Sequence, residues 1–161
     1  MEVLRIVDLQ LMSSLRESVP KGIRTMKKVY VLDACALIAF LRDEEGAELV
    51  GEIYEKANTG EASLIMNKIN LVEVYYDFYR SKGKDYADNF FSNIKQSEIV
   101  VKDVPDDVLL EAGRLKATYS ISLADSFALS QAIISSGELL TADHHEFDII
   151  ERQGIESIEF L

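Results

Sequence analysis

Four acidic residues stand where their carboxylates could share one site. Asp33 directly follows the apolar run VYVL, and Glu73 lies in a helix-like segment after a second apolar run. Asp125 opens a later helix-like segment, and Asp143 follows the short run GELLT. In open α/β sheets, sites form beyond the carboxyl ends of the strands, so such an arrangement would bring these side chains to one edge. We call Asp33, Glu73, Asp125 and Asp143 the four acids.

Clustered carboxylates indicate a site for a hard divalent cation. Mg²⁺ and Mn²⁺ prefer oxygen ligands, and Mg²⁺ keeps several water molecules, so carboxylates at one rim suffice. One or two such ions can activate a water molecule and neutralise the leaving oxygen of a phosphodiester. Two carboxylates about 4 Å apart repel by about 4 kcal/mol at an effective dielectric constant of about 20, which favours cation binding. The pattern predicts metal-dependent phosphodiester hydrolysis, with Glu73 as a direct or water-mediated ligand.

Each acid taken singly also has a purely structural explanation. Asp33 could cap the helix that follows it, because Asp is a favoured N-cap residue. Ser122 and Asp125 match the spacing of a capping box. Asp143 could cap the last helix, and Glu73 could be a solvated charge on an otherwise apolar stretch. The placement of all four at equivalent rim positions is better explained by a shared site.

A zinc site is disfavoured. His144 and His145 are adjacent, so their side chains point in different directions, and no further His or Cys completes a ligand set. Cys35 lies in an apolar run and is expected to be buried. As the single cysteine of the chain it cannot form an internal disulfide, so a reducing cytoplasm is the expected location.

Strand-like and helix-like segments alternate from Met26 onward. Apolar, β-branched runs predict strands at 29–33, 62–66, 98–104, 138–140 and 155–160. Apolar residues at helical spacing predict helices at 34–41, 46–57, 70–80, 85–95, 106–117, 124–135 and 146–152. This alternation predicts an α/β fold with right-handed crossovers and a mostly parallel sheet that carries helices on both faces.

Charge and length divide the chain of 161 residues into two parts. Residues 1–25 carry four basic and three acidic residues, whereas 26–161 carry 13 basic and 25 acidic residues. We expect 26–161 to form the domain, with Met26 as the natural start or 1–25 as an N-terminal extension able to form a short amphipathic helix. No apolar stretch reaches the roughly 18 residues that a membrane span needs. The net charge of −11 opposes unspecific RNA binding, unless cations, a basic strip or a partner compensate.

Four segments resemble the acidic motifs of the PIN-domain family, in the order typical of that family. They read VYVLDACALIAFLRDEEGAE, NLVEVYYDF, SISLADSFALSQAI and LLTADHHEFD, and the similarity extends over residues 27–160. The size of the chain is similar to that of VapC-type toxins, the ribonucleases of prokaryotic toxin–antitoxin pairs.

The resemblance implies a three-layer α/β/α sandwich with a five-stranded parallel sheet, and RNA as the substrate. It places the four acids on the family's catalytic metal-binding positions and Thr141 on a polar position that helps to orient a ligand. It also implies a homodimer and an antitoxin partner, whose tail blocks the metal site.

Two other functions stay open at the level of sequence. A phospho-aspartyl phosphatase or receiver-like protein would also place an Asp after the first strand, but such phosphatases have Asp-x-Asp where this chain has Asp33-Ala34-Cys35. A PIN-like module could instead bind RNA or a partner without cleavage. Four cations are candidate guides for RNA phosphates: Lys68, Arg80, Lys82 and Lys84. Four aromatic residues are more readily explained by the core or a dimer surface than by base stacking: Tyr75, Tyr76, Phe78 and Tyr79.

Overall fold

A five-stranded, all-parallel sheet forms the centre of the molecule in a computed structural model that describes residues 27–143, 147, 150 and 158–161. The strands are β1 (Lys28–Leu32), β2 (Ala62–Asn67), β3 (Ile99–Lys102), β4 (Glu138–Thr141) and β5 (Ile158–Phe160). The helices of the described residues are α1 (Ala34–Arg42), α2 (Ala47–Asn58), α3 (Lys68–Lys82), α4 (Lys84–Ile94), α5 (Asp106–Thr118) and α6 (Leu123–Ile134). The strand order is β3-β2-β1-β4-β5.

Both faces of the central strands are buried, as their nearly continuous apolar sequences require. In β1, Tyr30 and Leu32 join a core cluster formed with α1 to α4, while Val31 joins a second cluster formed with α6 on the other face. The neighbouring strands alternate in the same way, with Leu140 of β4 in the first cluster and Leu139 in the second. The three-layer α/β/α architecture predicted from the sequence is confirmed.

The described elements fall close to their predicted positions. The largest difference is at α3, which extends two residues beyond the prediction at each end and begins at Lys68 rather than at Asn70. The side chain of Asn67 caps this helix by accepting the backbone N–H groups of Ile69 and Asn70, each at 3.0 Å. The turn predicted at 81–83 is reduced to Gly83, whose φ of 91° breaks the path between α3 and α4.

Two predictions fall outside the described residues. The extension at 1–25 is one, and most of the helix predicted at 146–152 is the other; of that helix only Phe147 and Ile150 are described, and both are buried. Within the part of the chain that is described, no helix has both the length and the apolar character needed to cross a membrane.

Candidate active site

The carboxyl ends of β1 and β4 lie side by side and carry the centre of the site. Leu32 pairs with Leu140 at these ends, and the backbone N–H of Asp33 donates to the carbonyl of Leu140 at 3.3 Å. Asp33 directly follows β1, and Asp143 follows β4 by two residues. The parallel register therefore brings two of the four acids to one edge of the sheet.

Asp33 is buried, with only 1% of its surface exposed. It caps α1, because its Oδ1 accepts the backbone N–H of Ala36 at 2.7 Å, and so the capping role considered from the sequence is confirmed. Its Oδ2 has no hydrogen-bond donor in ordinary geometry among the described residues. Burial raises the pKa of Asp33 to about 7, and the negative charges of Asp143 and Glu73 add to that rise. A buried carboxylate oxygen that accepts no hydrogen bond can be satisfied by a bound cation.

Thr141 connects Asp33 with Asp143. The Thr141 side chain is fully buried, and its hydroxyl accepts the backbone N–H of Asp143 at 2.9 Å. The same hydroxyl interacts with the Asp33 carboxyl group and lowers its pKa, which opposes part of the effect of burial. Thr141 therefore interacts with both Asp33 and Asp143 and constrains their relative position.

Asp125 lies in the first turn of α6, within the capping box predicted from the sequence. The hydroxyl of Ser122 accepts the backbone N–H of Asp125 at 3.0 Å and donates to the carboxylate of the same residue. Asp125 is buried, with 8% of its surface exposed. Capping orients this carboxylate and does not exclude a further role for it.

Glu73 lies in the second turn of α3 and is partly buried. Its helix is tied to α6 because Asn70 donates a side-chain N–H to the carbonyl of Ala124 at 3.2 Å. This contact joins the N-terminal turns of the helices that carry Glu73 and Asp125.

The four acids lie within electrostatic range of one side chain, that of Cys35. The thiol of Cys35 is influenced by every one of them, since each raises its pKa. No three Asp, Glu, His or Cys side chains among the described residues form a ready-made cluster of metal ligands. Uncompensated carboxylates repel one another, and a bound cation would offset that repulsion. In chemical type the group fits Mg²⁺ or Mn²⁺, because its donors are carboxylate oxygens and one of them is orphaned.

Cys35 corrects one expectation, because it is exposed rather than buried. It is the second residue of α1, whose neighbours Ala34 and Ala36 face the core, and helical geometry turns the intervening side chain outward. Partial desolvation of the thiol, together with the charges of the four acids, raises the pKa of Cys35 to about 12. The thiol is protonated at neutral pH and is a weak nucleophile.

Sequence reasoning missed two asparagines at the same edge. Asn67 and Asn70 are fully buried, and Nδ2 of the first and Oδ1 of the second have no hydrogen-bond partner among the described residues. The sequence signal that could have revealed them was the position of Asn67 at the carboxyl end of β2, which lies next to the carboxyl end of β1. Polar groups at this edge therefore extend beyond the carboxylates.

Two of the candidate guides for phosphates have carboxylate partners within the chain. Lys68 pairs with Asp103, and Lys84 pairs with Asp88. Both ion pairs are exposed, and such pairs contribute little to stability and exchange readily. The role of these cations in binding RNA stays a prediction.

Comparison with known proteins gives one family and one shared fold. The family model of the PIN domain matches residues 30–152, a range that contains the four acids. A comparison with curated proteins gave no significant sequence match.

Several of the similar solved structures are toxins or toxin–antitoxin complexes. VapBC2 from Rickettsia felis, bound to a DNA fragment from its promoter, has 20% identity and a TM-score of 0.63, covering 83% of this chain and 98% of that one. A toxin–antitoxin complex from Klebsiella pneumoniae has 17% identity and a TM-score of 0.60, covering 81% and 95%. VapC20 from Mycobacterium tuberculosis, a Sarcin-Ricin loop cleaving toxin, has 10% identity and a TM-score of 0.57, covering 76% and 95%. At these identities the likeness concerns the fold.

Proposed function

The chain belongs to the PIN-domain family, and from that premise we propose that it is a divalent-metal-dependent endoribonuclease, the toxin of a type II toxin–antitoxin pair. The observations that support the proposal are the charges of the four acids, each of which raises the pKa of Cys35, and the buried oxygen of Asp33 that accepts no hydrogen bond among the described residues. The proposal assigns the activity to residues 26–161 and treats 1–25 as an extension.

Each acid would have a supporting residue. Asp33 and Asp143 would bind the cation directly, and Thr141 would keep them at a fixed separation through its hydroxyl. Ser122 would orient Asp125, and the bond between Asn70 and Ala124 would hold the helix of Glu73 beside it. Such supporting hydrogen bonds determine how precisely the ligand side chains are oriented toward a cation.

The cation would supply the positive charge that the acidic side chains lack. When bound, Mg²⁺ or Mn²⁺ would polarise a water molecule and the scissile phosphate and would neutralise charge on the leaving oxygen. It would also reverse the local potential of the acidic rim, which otherwise repels the RNA backbone in a chain of net charge −11. We therefore expect the cation to bind before the RNA.

An antitoxin is the proposed protein partner. Similar structures from Rickettsia felis and Klebsiella pneumoniae are toxin–antitoxin complexes, which supports a partner of this kind. A basic side chain from such a partner could neutralise the four acids in place of a cation and so block the site. A homodimer, which the family resemblance implies, stays a prediction at this level.

RNA cleavage by the purified chain tests the proposal. We expect cleavage with Mg²⁺ or Mn²⁺, none with a chelator, and a loss of at least about 100-fold in Asp125→Asn. Asp106→Asn is the matched control, because Asp106 is exposed in the first turn of α5 and lies outside the four acids. Equal activity of Asp125→Asn and the unmodified chain would contradict the proposal.

Two further readouts separate the alternatives. Expression in cells should arrest growth, and Asp125→Asn should relieve the arrest. Metal-dependent RNA binding without cleavage would instead support a non-catalytic PIN-like module, and hydrolysis of a small phosphomonoester with trapping of a metallofluoride at Asp33 would support the phosphatase.

A further inference from the structure

Asn67 lies level with Asp33 on the neighbouring strand. Val31 of β1 pairs with Ile65 of β2, and the same register, continued for two residues, brings Asn67 beside Asp33. Val31 and Ile65 both belong to the core cluster that packs against α6. The backbone of Asp33 and of Asn67 is still extended, and side chains two positions apart in extended chain point to the same side of a sheet. Asp33 and Asn67 therefore both point toward α6.

Thr141 occupies the corresponding position on the other side of Asp33. It follows Leu140 of β4, which pairs with Leu32 of β1, and its hydroxyl interacts with the Asp33 carboxyl group. We call Asn67, Asp33 and Thr141 the polar row, and each of its members is at most 1% exposed. The row holds one acid between two uncharged side chains that can donate hydrogen bonds.

The carboxamide of Asn67 is held in one orientation by its cap on α3. Its Oδ1 accepts the backbone N–H groups of Ile69 and Asn70, each at 3.0 Å. An amide nitrogen cannot accept these bonds, so the other end of the carboxamide is the NH₂ group. This Nδ2 is buried and has no hydrogen-bond acceptor among the described residues. A buried donor without an acceptor destabilises a fold, so Nδ2 requires a partner.

The neighbours of Asn67 in the sheet differ in what they offer to this donor. On β3 it pairs with Lys102, an exposed residue whose ammonium group is a donor only. On β1 it adjoins Asp33, whose Oδ2 is buried and accepts no hydrogen bond among the described residues. Adjacent strands lie about 4.8 Å apart, a separation that their side chains span with one hydrogen bond or one bridging water molecule. An unused donor and an unused acceptor therefore stand on neighbouring strands.

We propose that Asn67 is a positioning residue of the cation site, whose Nδ2 donates to Oδ2 of Asp33, directly or through one water molecule, and so fixes this carboxylate for a divalent cation. The inference rests on the proposed function, because that function assigns Asp33 to the cation. Thr141 restrains the same carboxylate from β4, so Asp33 is held from both sides. Each carboxylate oxygen has two lone pairs, which leaves room for the cation. The oxygen of Asn67 thus begins α3, and its nitrogen orients a ligand.

Two substitutions at Asn67 separate these roles. Asn67→Ser keeps a favoured N-cap oxygen on a side chain too short to reach Asp33, whereas Asn67→Ala removes both the cap and the donor. We expect Asn67→Ser to lose less stability than Asn67→Ala in urea unfolding with a chelator present. Both variants should raise the dissociation constant for Mn²⁺ at least about tenfold, because a ligand loses its supporting hydrogen bond. The electron paramagnetic resonance signal of free Mn²⁺ measures this constant.

Ser130→Ala is the matched control. Ser130 is fully buried on α6, and its hydroxyl donates to the carbonyl of Val108 at 2.7 Å. The variant therefore also loses a buried side-chain hydrogen bond, but one outside the polar row, and it should lower stability without changing the affinity for Mn²⁺. An Asn67→Ser variant that binds Mn²⁺ as tightly as the unmodified chain would overturn the inference. An equal loss of affinity in Ser130→Ala would do the same.

Nuclear magnetic resonance of the unmodified chain gives a readout that needs no substitution. The side-chain NH₂ resonances of Asn67 should shift when Mg²⁺ is added, because the cation changes the charge on the oxygen that accepts this N–H. Gln131 is the internal reference, since its side-chain NH₂ donates to Oγ of Ser135 at 2.9 Å, and it should shift less. Asn67 resonances that stay in place at saturating Mg²⁺ would overturn the inference. They would point instead to Asn70, whose Oδ1 is also buried without a donor.

Neither measurement uses RNA, so the two proposals can fail separately. A chain that binds Mn²⁺ with the expected dependence on Asn67, yet does not cleave RNA, would contradict the proposed nuclease activity and support this inference. A chain that cleaves RNA with Mn²⁺ and binds the cation equally well in Asn67→Ser would do the reverse. A chain that binds no divalent cation would overturn both.

Discussion

Thr141 holds Asp143 through a hydrogen bond in which its hydroxyl accepts the backbone N–H of that residue at 2.9 Å. The same hydroxyl lowers the pKa of Asp33, which directly follows the neighbouring strand β1. Two of the four acids thus interact with one buried side chain that carries no charge.

Replacing Thr141 by valine keeps the volume of the side chain and removes its hydroxyl. We expect Thr141→Val to lower metal affinity or RNA cleavage by about 10- to 100-fold, because Asp33 and Asp143 lose their common support. Titration of Mn²⁺ against cleavage rate measures the effect, and Thr141→Ser should restore most of the activity. Unchanged metal dependence in Thr141→Val would show that the hydroxyl does not position the acids.

Replacing Asp33 by asparagine should stabilise the metal-free protein at neutral and alkaline pH. The pKa of Asp33 is about 7 in the folded chain, against about 3.9 in an unfolded one. As pH rises from about 4 to about 7 the unfolded state loses its proton first, so the free energy of unfolding falls across this range by up to about 4 kcal/mol. Asparagine can still cap α1 and cannot ionise.

Urea unfolding in the presence of a chelator measures this difference. Asp33→Asn should be more stable than the unmodified chain at about pH 8 and nearly equal to it at about pH 4. Asp106→Asn, which changes an exposed carboxylate outside the four acids, is the matched control. An advantage of Asp33→Asn that is the same at both pH values would point to packing rather than to ionisation.

Divalent cations should stabilise the folded chain. A ligand that binds only the folded state at about 100 times its dissociation constant contributes about 2.7 kcal/mol. We expect Mg²⁺ or Mn²⁺ to raise the melting temperature of the unmodified chain, and to raise that of Asp33→Asn and Asp125→Asn much less. KCl of matched ionic strength is the control, and an equal rise with KCl would indicate general screening instead of a bound cation.

Two glycines should respond in opposite directions to alanine. Gly46 has a φ of +83°, and a Cβ added there would lie 2.2 Å from the Cβ of Leu161, so Gly46→Ala should destabilise the fold by roughly 1–3 kcal/mol. Gly113 lies inside α5 with nothing within 4 Å of an added Cβ, so Gly113→Ala should stabilise the fold by up to about 1 kcal/mol. Thermal unfolding of the two variants measures both effects. A stable Gly46→Ala would show that Leu161 moves aside without cost.

The local pattern of residues by itself determined much of this protein. Alternating apolar segments predict the parallel sheet, and parallel strands necessarily bring their carboxyl ends to one edge, which is why Asp33 and Asp143 can be placed together from their positions in the chain. The capping box of Ser122 and Asp125 is also readable, because the hydrogen bonds of a cap connect residues only three positions apart.

Tertiary structure decided which side chains are buried, because burial depends on the elements that pack over each surface. The sequence could not show that Oδ2 of Asp33 is buried without a donor, that Cys35 points outward, or that Asn67 and Asn70 are buried beside the acids. Nor could it separate Phe78, which is in the core, from Tyr76 and Tyr79, which are exposed on the same helix. Burial depends on contacts between segments that are distant in the chain, and the local spacing of residue types does not reveal these contacts.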